Sequence, residues 1–149
     1  MSDTLTQSRV QLALNVEDLG AAVAFYSQLF QTEPAKLREG YANFAIAEPP
    51  LKLILIESPG AGGTINHLGV EVASSAEVEA QSARLAEAGL LTIDEREQTC
   101  CYATQDKVWV SGPGGEQWEF YTVLAESATF GADATTTKDE ACASAACSC

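Results

Sequence analysis

Two sets of residues in this chain could do chemistry. The first is the adjacent pair Cys100-Cys101, within Gln98-Thr99-Cys100-Cys101-Tyr102-Ala103. Neighbouring cysteines make a strained disulfide, because the preferred Cα separation across a bridge exceeds the one a trans peptide sets. Kept reduced, they offer two soft thiolates that can chelate a thiophilic ion or metalloid and leave its other positions open. The plainer reading is two small apolar residues on a buried strand. The second set is Gln11, His67 and Glu119. An amide oxygen, an imidazole and a carboxylate converging on one point would form a facial set with open positions, suited to Fe(II) or another divalent ion. Each has a plainer reading too. Gln11 could face solvent, His67, the only histidine, could be structural, and Glu119 could be a solvated position between Trp118 and Phe120.

The pattern around these residues says how they would be positioned. Arg9–Val16 alternates, with Val10, Leu12, Leu14 and Val16 on one face and Gln11, Ala13 and Asn15 on the other, as in a half-buried strand. Asp18 can cap a helix over Leu19–Phe30 whose apolar stripe includes Val23, Tyr26 and Phe30. Strands are expected at 35–38, 41–47 and Leu51–Glu57, the last buried on both faces because Leu53-Ile54-Leu55-Ile56 lacks alternation. The stretch Ser58-Pro59-Gly60-Ala61-Gly62-Gly63 reads as a flexible joint, after which the pattern restarts. His67-Leu68-Gly69-Val70-Glu71-Val72 repeats Gln11-Leu12-Ala13-Leu14-Asn15-Val16 position by position, and Gln11 and His67 hold the same slot. Ser74-Ser75-Ala76-Glu77 is a capping box for a second helix that ends at Gly89. An extended segment follows at 91–101, then strands at 107–111 and 117–123 around the turn Gly112-Pro113-Gly114-Gly115. The fold expected is therefore α+β. Two β-α-β-β-β modules, about 9–57 and 65–123, would form a curved mixed sheet enclosing a hollow within a domain of residues 1–124. If the apolar faces pack under the helices, Gln11, His67 and Glu119 all turn away from them.

Composition narrows the function classes. The 149 residues carry a net charge of −13, which argues against nonspecific binding to nucleic acid or an anionic membrane surface. No apolar run approaches the roughly 20 residues of a membrane span. The N-terminal residues lack the basic and apolar regions of a signal peptide, so the chain is expected to be cytoplasmic, where thiols stay reduced. Residues 125–149 are rich in alanine, serine, threonine and acidic residues and read as a disordered tail. Its Cys142, Cys147 and Cys149 fit incidental thiols and a loose metal-capturing arm equally well.

The residues also carry a resemblance. The duplicated module, with Leu12-Ala13-Leu14-Asn15-Val16-Glu17-Asp18-Leu19 leading into Ala24-Phe25-Tyr26, resembles the vicinal oxygen chelate superfamily of glyoxalases, bleomycin-resistance proteins and extradiol dioxygenases. The stretch from Asp106 to Tyr121 is similar to that superfamily's last hairpin. Thr99-Cys100-Cys101-Tyr102-Ala103 narrows the likeness to the carbon–arsenic lyase (ArsI) and cadmium-induced (CadI) branch. This resemblance implies a nonheme Fe(II)-dependent dioxygenase that cleaves the carbon–arsenic bond of trivalent organoarsenicals, such as methylarsonous acid or reduced aromatic arsenicals, and releases arsenite. By position it makes Gln11, His67 and Glu119 the catalytic metal ligands and Cys100 and Cys101 the substrate-binding pair, with Tyr102 lining the pocket. O2 would be the co-substrate. Members of the superfamily pair in several ways, which leaves room for a homodimer. The alternative reading is a non-enzymatic cytoplasmic protein that sequesters cadmium or arsenite on Cys100, Cys101 and the tail thiols.

Overall fold

The computed structural model describes residues 8–100 and 103–126. They run β1 (Arg9–Val16), α1 (Leu19–Phe30), β2 (Lys36–Arg38), β3 (Tyr41–Ile46), β4 (Leu51–Glu57), β5 (Ile65–Glu71), α2 (Ser75–Glu87), β6 (Thr92–Cys100), β7 (Ala103–Ser111) and β8 (Gln117–Glu126). This is the duplicated β-α-β-β-β order. The chain divides into two compact units, Arg9–Leu68 and one beginning at Gly69, with the boundary inside β5.

In the first unit the strands lie in the order β2-β3-β4-β1, with the start of β5 beyond β1. β1 pairs with β4 in parallel and β3 pairs with β4 antiparallel. Alternation sorts the side chains. Leu12 and Leu14 turn to a core of Val16, Ala42, Phe44, Ile46, Leu53 and Leu55, against which Leu19, Val23, Tyr26 and Phe30 of α1 pack. Leu53, Ile54 and Leu55 are all buried, as their unbroken apolar run predicts. The Asp18 carboxylate caps α1 by accepting from the Ala21 N–H.

The segment read as a flexible joint is instead a stitched turn. The Ser58 N–H donates to Val16 O, and the Gly63 N–H to Asn15 O. The Glu17 carboxylate accepts from the N–H groups of Gly60 and Gly62. A Cβ on Gly62 would stand 2.9 Å from the Glu17 backbone nitrogen, so glycine is needed there for close approach. The glycines that suggested looseness serve instead to let a carboxylate reach the backbone.

The second unit repeats the plan with β8, β7 and β6 in that order beyond the end of β5. Val72, Val78 and Val108 form its core with Val70 and Phe120. Ser74 caps α2 by accepting from the Glu77 N–H, and Glu77 reaches back to the Ala73 N–H. Gly89, at φ 83°, ends the helix. The Gly89 N–H bonds to Ala86 O and the Leu90 N–H to Leu85 O, a Schellman closure. Two strands exceed their sequence-based limits. β7 begins at Ala103 rather than near 107, and β8 reaches Glu126 rather than 123. The rest of the expected tail lies outside the described residues.

One irregularity sets where the cysteine segment goes. Glu95 pairs with Lys107, but Gln98 pairs with Gln105, so Arg96 and Glu97 together oppose Asp106. This is a β-bulge, with Glu97 at φ 48°. Every later residue of β6, through the Cys100–Ala103 pair, is displaced by one place along β7. Buried Asp106 holds the bulge. One carboxylate oxygen accepts the Glu97 N–H at 2.7 Å and the other accepts the Ser75 hydroxyl at 2.6 Å. Asp106→Ala should therefore cost about 1–3 kcal/mol, the range for stranding a part-buried donor. Denaturant unfolding reads the loss, and amide exchange should quicken first at Glu97. Unchanged exchange there would show that the bulge stands without the carboxylate.

Candidate functional site

In the first unit Gln11 and His67 are brought together. Both turn away from the core under α1, and both are buried, Gln11 4% and His67 1% exposed. Gln11 Nε2 lies 3.1 Å from His67 Nε2. The solvent-facing reading of Gln11 is thus wrong for this fold, and the equivalence of the two slots is real in space. The other ring nitrogen, Nδ1, lies 2.8 Å from Asn66 Oδ1. Across the same face, Asn43 Nδ2 donates to the Tyr41 hydroxyl, while buried Asn43 Oδ1 has no hydrogen-bond partner among the described residues. Sequence reasoning missed Asn43 and Asn66. An asparagine between apolar strand neighbours is the signal that could have found the former.

In the second unit Glu119 is 2% exposed, not a solvated strand position. It stands opposite Trp109, while Lys107 stands opposite Tyr121. The Lys107 ammonium lies 3.1 Å from Glu119 Oε2, and both side chains are buried. The same ammonium lies 5.4 Å from the centroid of the Trp109 ring. The Trp109 indole N–H donates to Glu95 Oε1 at 2.8 Å, and the Tyr121 hydroxyl donates to Glu71 Oε2 at 3.1 Å. Burial pushes the Glu95 carboxyl above its ordinary range, and the Trp109 hydrogen bond and the Lys107 charge oppose that rise. Sequence reasoning missed Lys107. Its alternation with Val108 placed it on the Glu119 face, but a lysine on a strand is ordinarily read as solvated.

The donor chemistry suits a divalent ion of intermediate hardness. Among the described residues no group of three His, Cys, Asp or Glu side chains is placed to hold an ion, so an ion on this face would draw on an amide such as that of Gln11. That amide offers an oxygen at the far end from the nitrogen now facing His67, and a half-turn exchanges the two. Gln11 and His67 belong to one unit and Glu119 to the other. The backbone of Cys100 ends β6. Cys101 and Tyr102 lie outside the described residues.

Comparison with known proteins assigns the chain. The model of the Glyoxalase/Bleomycin resistance protein/Dioxygenase superfamily matches residues 8–120. The chain is 72% identical over 124 residues to cadmium-induced protein CadI of Mycobacterium tuberculosis, covering 83% of this chain and 82% of that one. It is 62% identical over 123 residues to the trivalent organoarsenical cleaving enzyme of Thermomonospora curvata, covering 82% of each. Homoprotocatechuate 2,3-dioxygenase from Arthrobacter globiformis shares the fold, with a TM-score of 0.59 at 24% identity over 78% of this chain and 36% of that one. On this evidence the chain belongs to the glyoxalase/bleomycin resistance/dioxygenase superfamily and, within it, to the family that holds CadI and the trivalent organoarsenical cleaving enzymes.

Proposed function

We propose that the chain is an Fe(II)- and O2-dependent enzyme that cleaves the carbon–arsenic bond of trivalent organoarsenicals, methylarsonous acid or reduced aromatic arsenicals, and releases arsenite. The observation that carries this reading is the buried contact between Gln11 and His67, two polar side chains in equivalent slots of the repeat. The relative at 62% identity, named for cleaving trivalent organoarsenicals, gives it a substrate class. Gln11, His67 and Glu119 would hold the iron. When bound, the iron supplies oxygen activation, which no side chain of the chain offers.

The chain's own residues supply binding and placement. The thiols of Cys100 and Cys101 each form one bond to arsenic, and the two displaced oxygens leave as water. The organic substituent stays as the third group. Two sulfur bonds fix its direction, and Tyr102, next in the chain, bounds the space it occupies. Thiolate and carboxylate–imidazole donors differ in softness, so the two sites sort their ions: arsenic goes to sulfur and iron to Gln11, His67 and Glu119. Lys107 balances the charge of Glu119 in the ion-free protein, where a buried carboxylate alone would be costly. The domain read as residues 1–124 then holds all the proposed chemistry, and no helix among the described residues is long and apolar enough to cross a membrane.

The decisive experiment is anaerobic reconstitution with Fe(II), addition of methylarsonous acid, and assay of arsenite with and without O2. Arsenite should appear only when both iron and O2 are present. Cys100→Ser or Cys101→Ser should abolish release and leave iron binding intact. His67→Ala or Glu119→Ala should do the reverse, with arsenic bound and nothing cut. Release without oxygen would rule the proposal out.

Removing the residues after Glu126 separates this reading from sequestration, which the 72% identity to CadI keeps in view. A lyase should keep most of its turnover, whereas a sequestering protein should lose much of its cadmium capacity. The charge argument has its own test. Lys107→Met should lower the stability of the ion-free protein by about 3–5 kcal/mol, the cost of stranding one member of a buried pair. Added Fe(II) should return part of that loss in anaerobic thermal melts. A loss indifferent to the ion would remove Glu119 from the ligand set.

A further inference from the structure

The side chains behind His67 form a chain of hydrogen bonds with a fixed direction. It starts at the backbone carbonyl of Ala61, which can only accept. The Thr64 hydroxyl donates to that carbonyl at 2.6 Å. Its proton committed, the Thr64 oxygen accepts from Asn15 Nδ2 at 2.9 Å. Asn15 therefore turns its Oδ1 the other way, where it accepts from Asn66 Nδ2 at 3.0 Å and from the Ser58 hydroxyl at 3.2 Å. Asn66 is oriented in turn, and its Oδ1 faces His67 Nδ1 at 2.8 Å. An amide oxygen cannot donate, so Nδ1 must carry the ring proton.

We infer that Asn66, Asn15 and Thr64 are positioning residues that lock neutral His67 as its Nδ1–H tautomer and so keep an unprotonated Nε2 lone pair facing Gln11. The contact on the far side is compatible with that tautomer. Gln11 presents a nitrogen to His67 Nε2 at 3.1 Å, and an N–H needs a lone pair to donate to. The Nδ1 side of the ring is thus oriented from a turn carbonyl, through three neutral side chains. An ion-binding nitrogen prepared this way needs no proton moved before it coordinates, and its ring plane is already fixed. The step from tautomer to ion binding rests on the ligand role proposed for His67; the tautomer itself does not.

The test uses the fact that the chain has one histidine. In ion-free protein labelled with 15N-histidine, long-range 1H–15N correlations report His67 alone, and the ring is read on the plateau of a pH series where its spectrum no longer changes with rising pH. Nδ1 should appear as the protonated ring nitrogen and Nε2 as the bare one. The opposite assignment in the wild-type protein would overturn the inference directly, with no variant needed. Asn66→Leu should move the ring toward the Nε2–H form and weaken Co(II) binding about 10–100-fold, as loss of an outer hydrogen bond to a ligand does. Thr64→Val, a near-isosteric change at an exposed position, should shift both readings the same way by less, and it serves if Asn66→Leu does not fold. Folded variants with an unshifted tautomer would refute the lock. If the wild type shows the Nδ1–H form yet binds no Co(II), the lock stands and the ligand role proposed for His67 is the part that fails.

Discussion

The structure depends on one constraint: polar side chains placed in an interior must find partners there. In each half of the repeat, a helix takes up the apolar face of its strands, as the cores around Phe44 and Val108 show. The opposite faces carry Gln11, Asn43 and His67 in one unit and Lys107, Glu119 and Tyr121 in the other, all buried. Such groups destabilise a fold unless each is satisfied. The chain meets this by pairing donors with acceptors, amide with imidazole and ammonium with carboxylate, and leaves Asn43 Oδ1 without a hydrogen-bond partner among the described residues. The chemistry proposed for the protein draws on the same pairs.

The two units meet the constraint in different currencies. The first joins neutral groups in a relay behind His67. The direction of its hydrogen bonds is fixed by the Ala61 carbonyl, and the result is a defined lone pair on His67. The second uses charge. Glu119 keeps its carboxylate buried because Lys107 lies against it, while Glu95, on β6 at the far side of the Lys107 strand, has its carboxyl pushed up by burial. A neutral nitrogen donor and a charge-balanced carboxylate are prepared by different physics and fail in different ways. The nitrogen is lost by rotation or protonation, the carboxylate by removal of its counter-charge.

Much of this was legible in the sequence because alternation is a strong signal on a half-buried strand. The repeat of Gln11 and His67 in one slot, the caps at Asp18 and Ser74 and the stop at Gly89 all follow from local rules, and the elements form where those rules put them. What stayed hidden depends on tertiary context. Lys107 has the composition of a surface residue, and only its pairing with β8 makes it a buried cation. Asn66 stands next to His67, so period-2 reasoning assigns it to the other face. The Glu17 turn looked loose because glycine signals freedom as well as close approach, and sequence cannot tell which. The bulge at Arg96 and Glu97 has no glycine to announce it.

That bulge has the widest reach of the hidden features. A strand that keeps perfect alternation presents fixed residues to its neighbour, and one inserted residue reverses the assignment of all that follow. Between Glu95 and Gln98 the chain makes this change, so the register at Cys100 is set some residues earlier, by the Asp106 carboxylate and the start of α2 that it grips. The His67 tautomer is likewise set at a distance, from a turn. In both cases residues with no chemistry of their own decide what a chemically capable neighbour can present. A search confined to nucleophiles and ligands would pass over Asp106, Asn66 and Thr64, although the hydrogen bonds that define the geometry run through them.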